Sequence, residues 1–367
     1  MKIAIIGSRG YPYVYSGYET FVSEVAPLLR AKGIEVHVYN HKQLFSKRPG
    51  TVNDIKIHYI PCIQTKSLSQ WSNSFLSTLH ALFCGYDVIL YVNSANGIFG
   101  PLTWLFRQKT AINVDGLEWL RPKWKGMGAK VFYFSSKMAT KWMDVIITDA
   151  EAMRSIYLKE FKTDSTVIAY GANIRYSSNA ELIKKWDLEV NDYYLIVGRL
   201  IPDNNADVIV KEFIKSKTIK KLVVVGDVPY KDSYAEEIKN TKDKRLVFTG
   251  YVKDQAELAE LYHHCFAYFH GHEFGGTNPT LLKALAYGCG IMALDTVFNR
   301  EVLADGKYGI FFSKDKMYLA NLIDEVEKDA DTFTNFKKIS RNRISENYTW
   351  DKIANQYSEL FTKLLSQ

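Results

Sequence analysis

An α/β protein built on two successive, doubly wound, largely parallel sheets is predicted by three features of the sequence. Short apolar runs ending in glycine or a polar residue recur along the chain, as buried parallel strands do. Segments of helical period separate them. The alternation then starts afresh beyond a polar stretch near the middle. A length of 367 residues suits two domains, each with its own core. The expected boundaries are 1–172, 173–349 and a terminal helix over 350–367.

The first strand is "KIAIIG", a continuous apolar run stopped by glycine. "YETFVSEVAPLLRAKG" follows, with Phe21, Val22, Val25, Leu28 and Leu29 on one face and a glycine stop at Gly33. "IEVHVYN" alternates as a second strand and completes a βαβ unit. "DVILYVN", "TAINVD" and "DVIITD" read as further strands, each closing on a polar residue at the edge where such sheets place ligands. "NIRYSSNAELIKKWDLEVND" is the expected linker region. A second set comprises "YYLIVGRL", "KKLVVVGD", "RLVFTGY", "CFAYFHG" and "GIMALD". "WDKIANQYSELFTKLL" carries apolar residues at helical spacing and is expected to pack across the domain boundary.

Composition excludes several classes. An apolar share of 47% and a charged share of 24% are ordinary for a globular protein. No apolar run reaches the length of a membrane span. The opening "MKIAIIGSRG" lacks the cleavage pattern of a signal peptide. Cys62, Cys84, Cys265 and Cys289 are scattered, with neither C-x-x-C spacing nor a histidine cluster, so neither a zinc site nor a disulfide framework is expected. A reducing cytoplasm fits that usage. Charge is uneven: residues 1–175 hold 21 Lys/Arg against 12 Asp/Glu, and the remainder is slightly acidic. A basic face on the first half suits anionic lipid, nucleic acid or phosphorylated substrates, although no nucleic-acid recognition module is visible.

Three constellations carry chemistry. In "GSRGYPYVYSGYET", Gly7, Gly10 and Gly17 lie between a strand and a helix, where exposed amides and the helix dipole can meet a phosphate. The spacing is neither G-x-G-x-x-G nor a P-loop, and an ordinary strand–helix turn is the plainer reading. In "VGRLIPDNN", Arg199 ends a strand with a guanidinium matched to phosphate oxygens; alone, such an arginine is more often a surface ion-pair partner. "GHEFGGTNPTLLKALAYG" gives it company. There Thr277 or Asn278 can cap a helix, Pro279 suits its first turn, and Leu281, Leu282 and Leu285 form its buried face. Gly275 and Gly276 leave the N-terminal amides open, and the pairing with Arg199 points to a diphosphate. A third cluster, "NVDGLEWLRPKW", sets Asp115 and Glu118 after a strand. They could orient a hydroxyl or transfer a proton, or merely neutralise Arg121 and Lys123.

Together "GSRGYP…SGYETFV", "VDGLEW", "GRLIPDNN" and "GGTNPTLLKALAYGCG" resemble glycosyltransferase family 4, and within it the bacterial rhamnosyltransferase-like enzymes of capsule, O-antigen and cell-wall polysaccharides. The resemblance runs over nearly the whole chain. It implies a GT-B fold: two Rossmann-like domains around a cleft, with a C-terminal helix crossing back. The first domain would hold the acceptor and the second the sugar nucleotide, and transfer would proceed with retention and without a metal. By position, Arg199 would clamp the diphosphate and Gly276 and Thr277 would offer amides to it. Glu273 would reach the donor sugar's hydroxyls, Gly17 would approach the phosphates, and Asp115 would face donor and acceptor.

The chain departs from the family twice. Where a second glutamate commonly receives the nucleotide ribose, the helical position holds Lys283, at a longer spacing from Glu273. An ammonium has no acceptor lone pair, so the expected donor is one tolerant of that loss, such as dTDP-rhamnose, whose deoxyribose lacks the 2′-hydroxyl. A lysine common just after the strand-end arginine is replaced within "DNN", residues 203–205, which lowers the positive charge available to the leaving group. No hydrolase-like acid/base pair is evident, and the resemblance implies that the departing phosphate takes the acceptor proton.

The stretch "RPKWKGMGAKVFYFSSKMATKW" interleaves Lys and Arg with aromatic residues. That composition suits an anionic membrane surface; a solvated basic helix is the plainer alternative. The expected partners are a nucleotide-sugar donor, a lipid-linked saccharide acceptor and the inner face of the cytoplasmic membrane, bound peripherally. Three rivals remain: a UDP- or GDP-hexose donor on the same fold, a non-catalytic partner subunit of that fold, and a nicotinamide-dependent reductase. Against the last stand the missing G-x-G-x-x-G and the want of an acidic residue closing "IEVHVYN".

Overall fold

The computed structural model describes residues 1–12, 17–65, 68–114, 116–121, 126–228 and 231–367. The chain divides into two compact units, residues 1–171 with 350–367, and residues 172–349. Each is a Rossmann-like α/β unit on one sheet.

The first unit runs β1 (Lys2–Ile6), α1 (Gly17–Ala31), β2 (Glu35–His41), β3 (Thr51–Val52), β4 (Ile55–Ile60), α2 (Ser69–Ala81) and β5 (Val88–Val92). It continues through α3 (Gly100–Leu105), β6 (Thr110–Val114), α4 (Met127–Trp142), β7 (Val145–Thr148), α5 (Glu151–Phe161) and β8 (Thr166–Val167). The strand order is β3-β4-β2-β1-β5-β6-β7-β8, parallel throughout except for β3 against β4. The apolar run of β1 is buried on both faces because it lies between β2 and β5 with helices above and below, with Ile3 opposite both Val36 and Val88.

The second unit runs β9 (Tyr193–Val197), α6 (Ala206–Phe213), β10 (Lys221–Val225), α7 (Ser233–Lys239), β11 (Leu246–Gly250), α8 (Gln255–His264) and β12 (Ala267–His270). Then come α9 (Pro279–Ala286), β13 (Ile291–Leu294), α10 (Val297–Val302), β14 (Ile310–Phe312), α11 (Tyr318–Val326) and α12 (Ala330–Asn347). Its all-parallel order is β11-β10-β9-β12-β13-β14. Tyr194, Phe213, Phe269, Phe312 and Ile323 anchor its core.

The last helix, α13 (Trp350–Leu365), belongs to the first unit. Tyr357 lies 5.1 Å from the Phe21 ring, and its hydroxyl accepts from Asn113 Nδ2 at 2.7 Å. Gly171 is obligatory there, since a Cβ would run into the Trp350 indole.

Four strands go beyond the elements expected from sequence. β4 alternates as "IKIHYI" and pairs with β2, whereas β3, β8 and β14 are too short to carry a periodic signal. The expected linker is anchored. Asn179 caps a short 3₁₀ turn whose Ile183 is buried, and Glu260 of α8 receives Ser177 Oγ, Ser178 N and Asn179 N.

Candidate functional site

Both sheets reverse their winding at one point, where the loops after neighbouring strands diverge and leave room for a ligand. In the second unit this point lies between β9 and β12. The loop after β9 carries Arg199; the loop after β12 carries the glycine-rich 271–278. The two are stitched together. His272 Nδ1 lies 2.9 Å from Asn204 Oδ1, Glu273 N donates to Asp203 O at 3.1 Å, and Asn205 Nδ2 donates to Gly271 O at 2.8 Å. Gly271 allows this approach, because a Cβ would strike the Asn204 carbonyl. The "DNN" segment therefore has a structural task in joining the two loops.

Arg199 is exposed, and its guanidinium has no ion-pair or hydrogen-bond partner among the described residues. By contrast Arg300, on the same edge, is held fork to fork by Asp295 at 2.6 and 2.7 Å, beside a hollow of about 520 Å³ lined by Phe311 and Tyr318. Of these two guanidiniums, Arg199 is the one left to meet a ligand.

Of the two capping candidates, Asn278 caps α9: its side chain accepts from Thr280 N at 2.9 Å. Thr277 is buried. Gly275 adopts φ +117°, which an L side chain seldom tolerates, so glycine is required at that turn. Gly276 is buried beside it. Pro279 opens the helix, and Leu281, Leu282 and Leu285 face the core. Lys283 lies half-buried one turn on. Glu273 is half-exposed: its Oε2 receives Lys314 Nζ at 2.5 Å and Asn205 Nδ2 at 3.3 Å. Lys314, in the loop after β14, gave no sign in the sequence, because it is forty-one residues from Glu273 and sits in no motif.

In the first unit the switch point falls between β1 and β5. Gly17 is the first residue of α1. Gly7 and Gly10 have packing reasons: both have positive φ, and a Cβ would meet Val92 O at one and the Asn40 side chain at the other. The carboxylate of buried Glu19 accepts from Arg9 N at 2.8 Å and places negative charge in the first turn of α1. Sequence reasoning passed over Glu19, and also "NSANG" after β5, where Asn93 caps a 3₁₀ turn at φ +83° and Asn96 Nδ2 donates to Val92 O at 2.7 Å. Asp115 lies outside the described residues. Its neighbour Glu118 is buried and paired with Arg121 at 2.6 Å, the neutralising role among those weighed for this cluster.

Known proteins place these observations. Residues 178–346 match the family described as glycosyl transferases group 1, and residues 88–173 match a domain of unknown function, DUF1972. The chain is 25% identical to a probable sucrose-phosphate synthase of Thermosipho melanesiensis over 62% of its own length and 56% of that protein's, so it spans little more than half of that relative. It is 20% identical over 83% of its length, and 85% of the relative's, to the Campylobacter jejuni N-acetylgalactosamine-N,N'-diacetylbacillosaminyl-diphospho-undecaprenol 4-alpha-N-acetylgalactosaminyltransferase. Among solved structures, a sucrose-phosphate synthase from Thermosynechococcus elongatus superposes with a TM-score of 0.83 at 18% identity, covering 100% of this chain and 99% of that one. The Anabaena protein Alr3699/HepE in complex with UDP-glucose gives 0.77 at 16%, covering 99% and 100%. Both likenesses speak for the fold.

Proposed function

We propose that this chain, whose residues 178–346 match glycosyl transferases group 1 and whose two Rossmann-like units have the GT-B fold, transfers a sugar from a nucleotide donor. The observation that carries the reading is the unpaired guanidinium of Arg199 at the switch point of the second sheet, in a loop bonded to the glycine-rich entry of α9. In this reading the glycosidic C1–O bond to the diphosphate breaks and a C1–O bond to an acceptor hydroxyl forms on the same face. The acceptor proton passes to the departing phosphate. Arg199 and the amides of Gly276 and Thr277 stabilise the charge that grows on that leaving group, without a metal. Glu273 receives a hydroxyl of the transferred sugar.

The proposed donor is dTDP-rhamnose and the acceptor a lipid-linked saccharide of bacterial surface polysaccharide synthesis. Lys283 supports the deoxyribose donor, since an ammonium has no lone pair for a ribose hydroxyl. A UDP-hexose is the second reading, favoured by the UDP-glucose complex of the Anabaena protein. The lipid-linked acceptor is supported by the diphospho-undecaprenol substrate in the name of the Campylobacter relative. It also fits α4, whose outward face suits an anionic membrane; no helix of the described residues is long and apolar enough to cross one.

Arg199→Ala tests the assignment. Removing one preorganised donor costs roughly 10²–10³ in turnover, so transfer from dTDP-rhamnose should fall by that factor. Turnover near the wild-type rate would contradict it.

A further inference from the structure

The C-terminal loops of three strands converge on residues 271–273. Asn205, after β9, donates to Gly271 O and to Glu273 Oε2. Asn299 of α10, after β13, donates to His272 O at 3.1 Å. Lys314, after β14, reaches past β13 to Glu273. Its loop is shaped for this by a tight turn in which Ser313 Oγ donates to Asp315 Oδ2 at 2.7 Å and accepts from Asp315 N at 3.2 Å.

Both side-chain donors on Glu273 fall on the same oxygen. Oε2 receives Lys314 and Asn205, while Oε1 has no donor among the described residues. A carboxylate pinned at one oxygen keeps two lone pairs on the other, in a fixed direction. An isolated, half-exposed lysine–glutamate pair would be worth little. This one shares its oxygen with a side chain that is buried and bonded to the backbone of the same loop. Lysine has no lone pair with which to receive a hydroxyl proton, so at this pair that acceptor is the glutamate.

We propose that Lys314 is a positioning residue for the donor sugar: with Asn205 it fixes Glu273 Oε2 and leaves Oε1 presented to a sugar hydroxyl. The proposal rests on reading this edge as a sugar-nucleotide site, and the test separates the two. Calorimetric affinities are measured for two pairs, dTDP-rhamnose with dTDP and UDP-glucose with UDP, on wild type, Lys314→Met, Lys314→Arg, Glu273→Gln and the Lys314→Met/Glu273→Gln double variant.

Lys314→Met should weaken the sugar nucleotide that wild type prefers by about tenfold, as for a lost hydrogen bond to a charged group, and leave the parent diphosphate unchanged. Lys314→Arg should restore most of the loss. Glu273→Gln should reproduce it, with nothing added by the double variant. Equal weakening of sugar nucleotide and diphosphate would overturn the proposal by making Lys314 a phosphate contact, and so would no change in either. Preference for UDP-glucose would overturn the dTDP-rhamnose assignment alone, with Lys314 then judged on the uridine pair. If wild type held neither sugar nucleotide more tightly than its diphosphate, the grip on the sugar would itself be refuted.

Discussion

One densely bonded carboxylate of the second unit has a structural task. Glu260 is almost fully buried; burial alone would raise its carboxyl, but donors from Ser178, Ser177 and Asn179 outweigh it and hold the group at about 2. His264 adds a contact at 2.9 Å. Ser177, His264 and Glu260 look at first like a nucleophilic triad. However, a single histidine nitrogen, Nε2, meets both oxygens, so no second nitrogen links base to carboxylate. Glu260 instead fastens the segment that enters β9. Glu260→Ala removes the shared acceptor of those donors and should cost roughly 2 kcal/mol, as for hydrogen bonds to a charged group, read as a melting point a few degrees lower in calorimetry. A melting point unchanged from wild type would refute that role. None of this shows in the sequence, where Glu260 is one acid on an amphipathic helix and its serine and asparagine donors lie more than eighty residues away. Arg199 at a strand end and Asn278 at a helix start left local signatures, whereas Glu273 was named only through the family resemblance. Lys314, Glu19 and Asn205 were not legible, because only tertiary folding brings them to their partners.

Among the elements, α4 is turned inside out. Ser135, Ser136 and Ala139 are its buried face, and Ser135 Oγ donates to Ser94 O at 2.7 Å. The approach is close enough that a Cβ on Gly97 would strike the Ser135 carbonyl. Met127, Val131 and Phe134 point outward, 74% and 56% exposed at Met127 and Phe134, in line with Lys130, Lys137 and Lys141. The helix carries no acidic residue. In the membrane reading, one interface takes both the apolar stripe and the lysines. Each lysine near an anionic surface contributes about 1 kcal/mol. Changing all three to glutamine should therefore weaken sedimentation with phosphatidylglycerol vesicles by roughly 100-fold. Salt-insensitive binding, or none by wild type, would contradict the membrane reading. The basic and aromatic composition of this helix was plain from sequence. Which face each residue takes was not, because the buried stripe is small and polar, against the usual pattern of an apolar inner face.

Across the whole molecule, buried and half-buried histidines contribute to the response to acid. Burial, with Arg9 nearby and only partly offset by Gln70, lowers His41 to about 4. Burial, aided by His37, His80 and Lys2, does the same to His58. In the second unit burial pushes His270 well below the usual range, with His272 adding to it. All three fold as neutral rings, while in the unfolded chain they take protons near 6.5. Stability is thus intact above that pH and is lost as pH falls from 6.5 toward 4, by up to about 1.4 kcal/mol per pH unit for each histidine. The melting temperature should drop more steeply between pH 6.5 and 4.5 than between 8 and 6.5; a flat profile would contradict this.

At the same scale, the two-sheet, doubly wound architecture was legible because the central parallel strands are apolar runs, each closed by glycine or a polar residue. Edge strands such as β3 and β14 were not, being two and three residues long. The central claim is that the second sheet's switch point binds a diphosphate. A crystal structure of the protein with dTDP-rhamnose tests it most directly. The account predicts both phosphates within hydrogen-bonding distance of the Arg199 guanidinium and the amides of Gly276 and Thr277. Phosphates bound elsewhere, with Arg199 left in solvent, would contradict it.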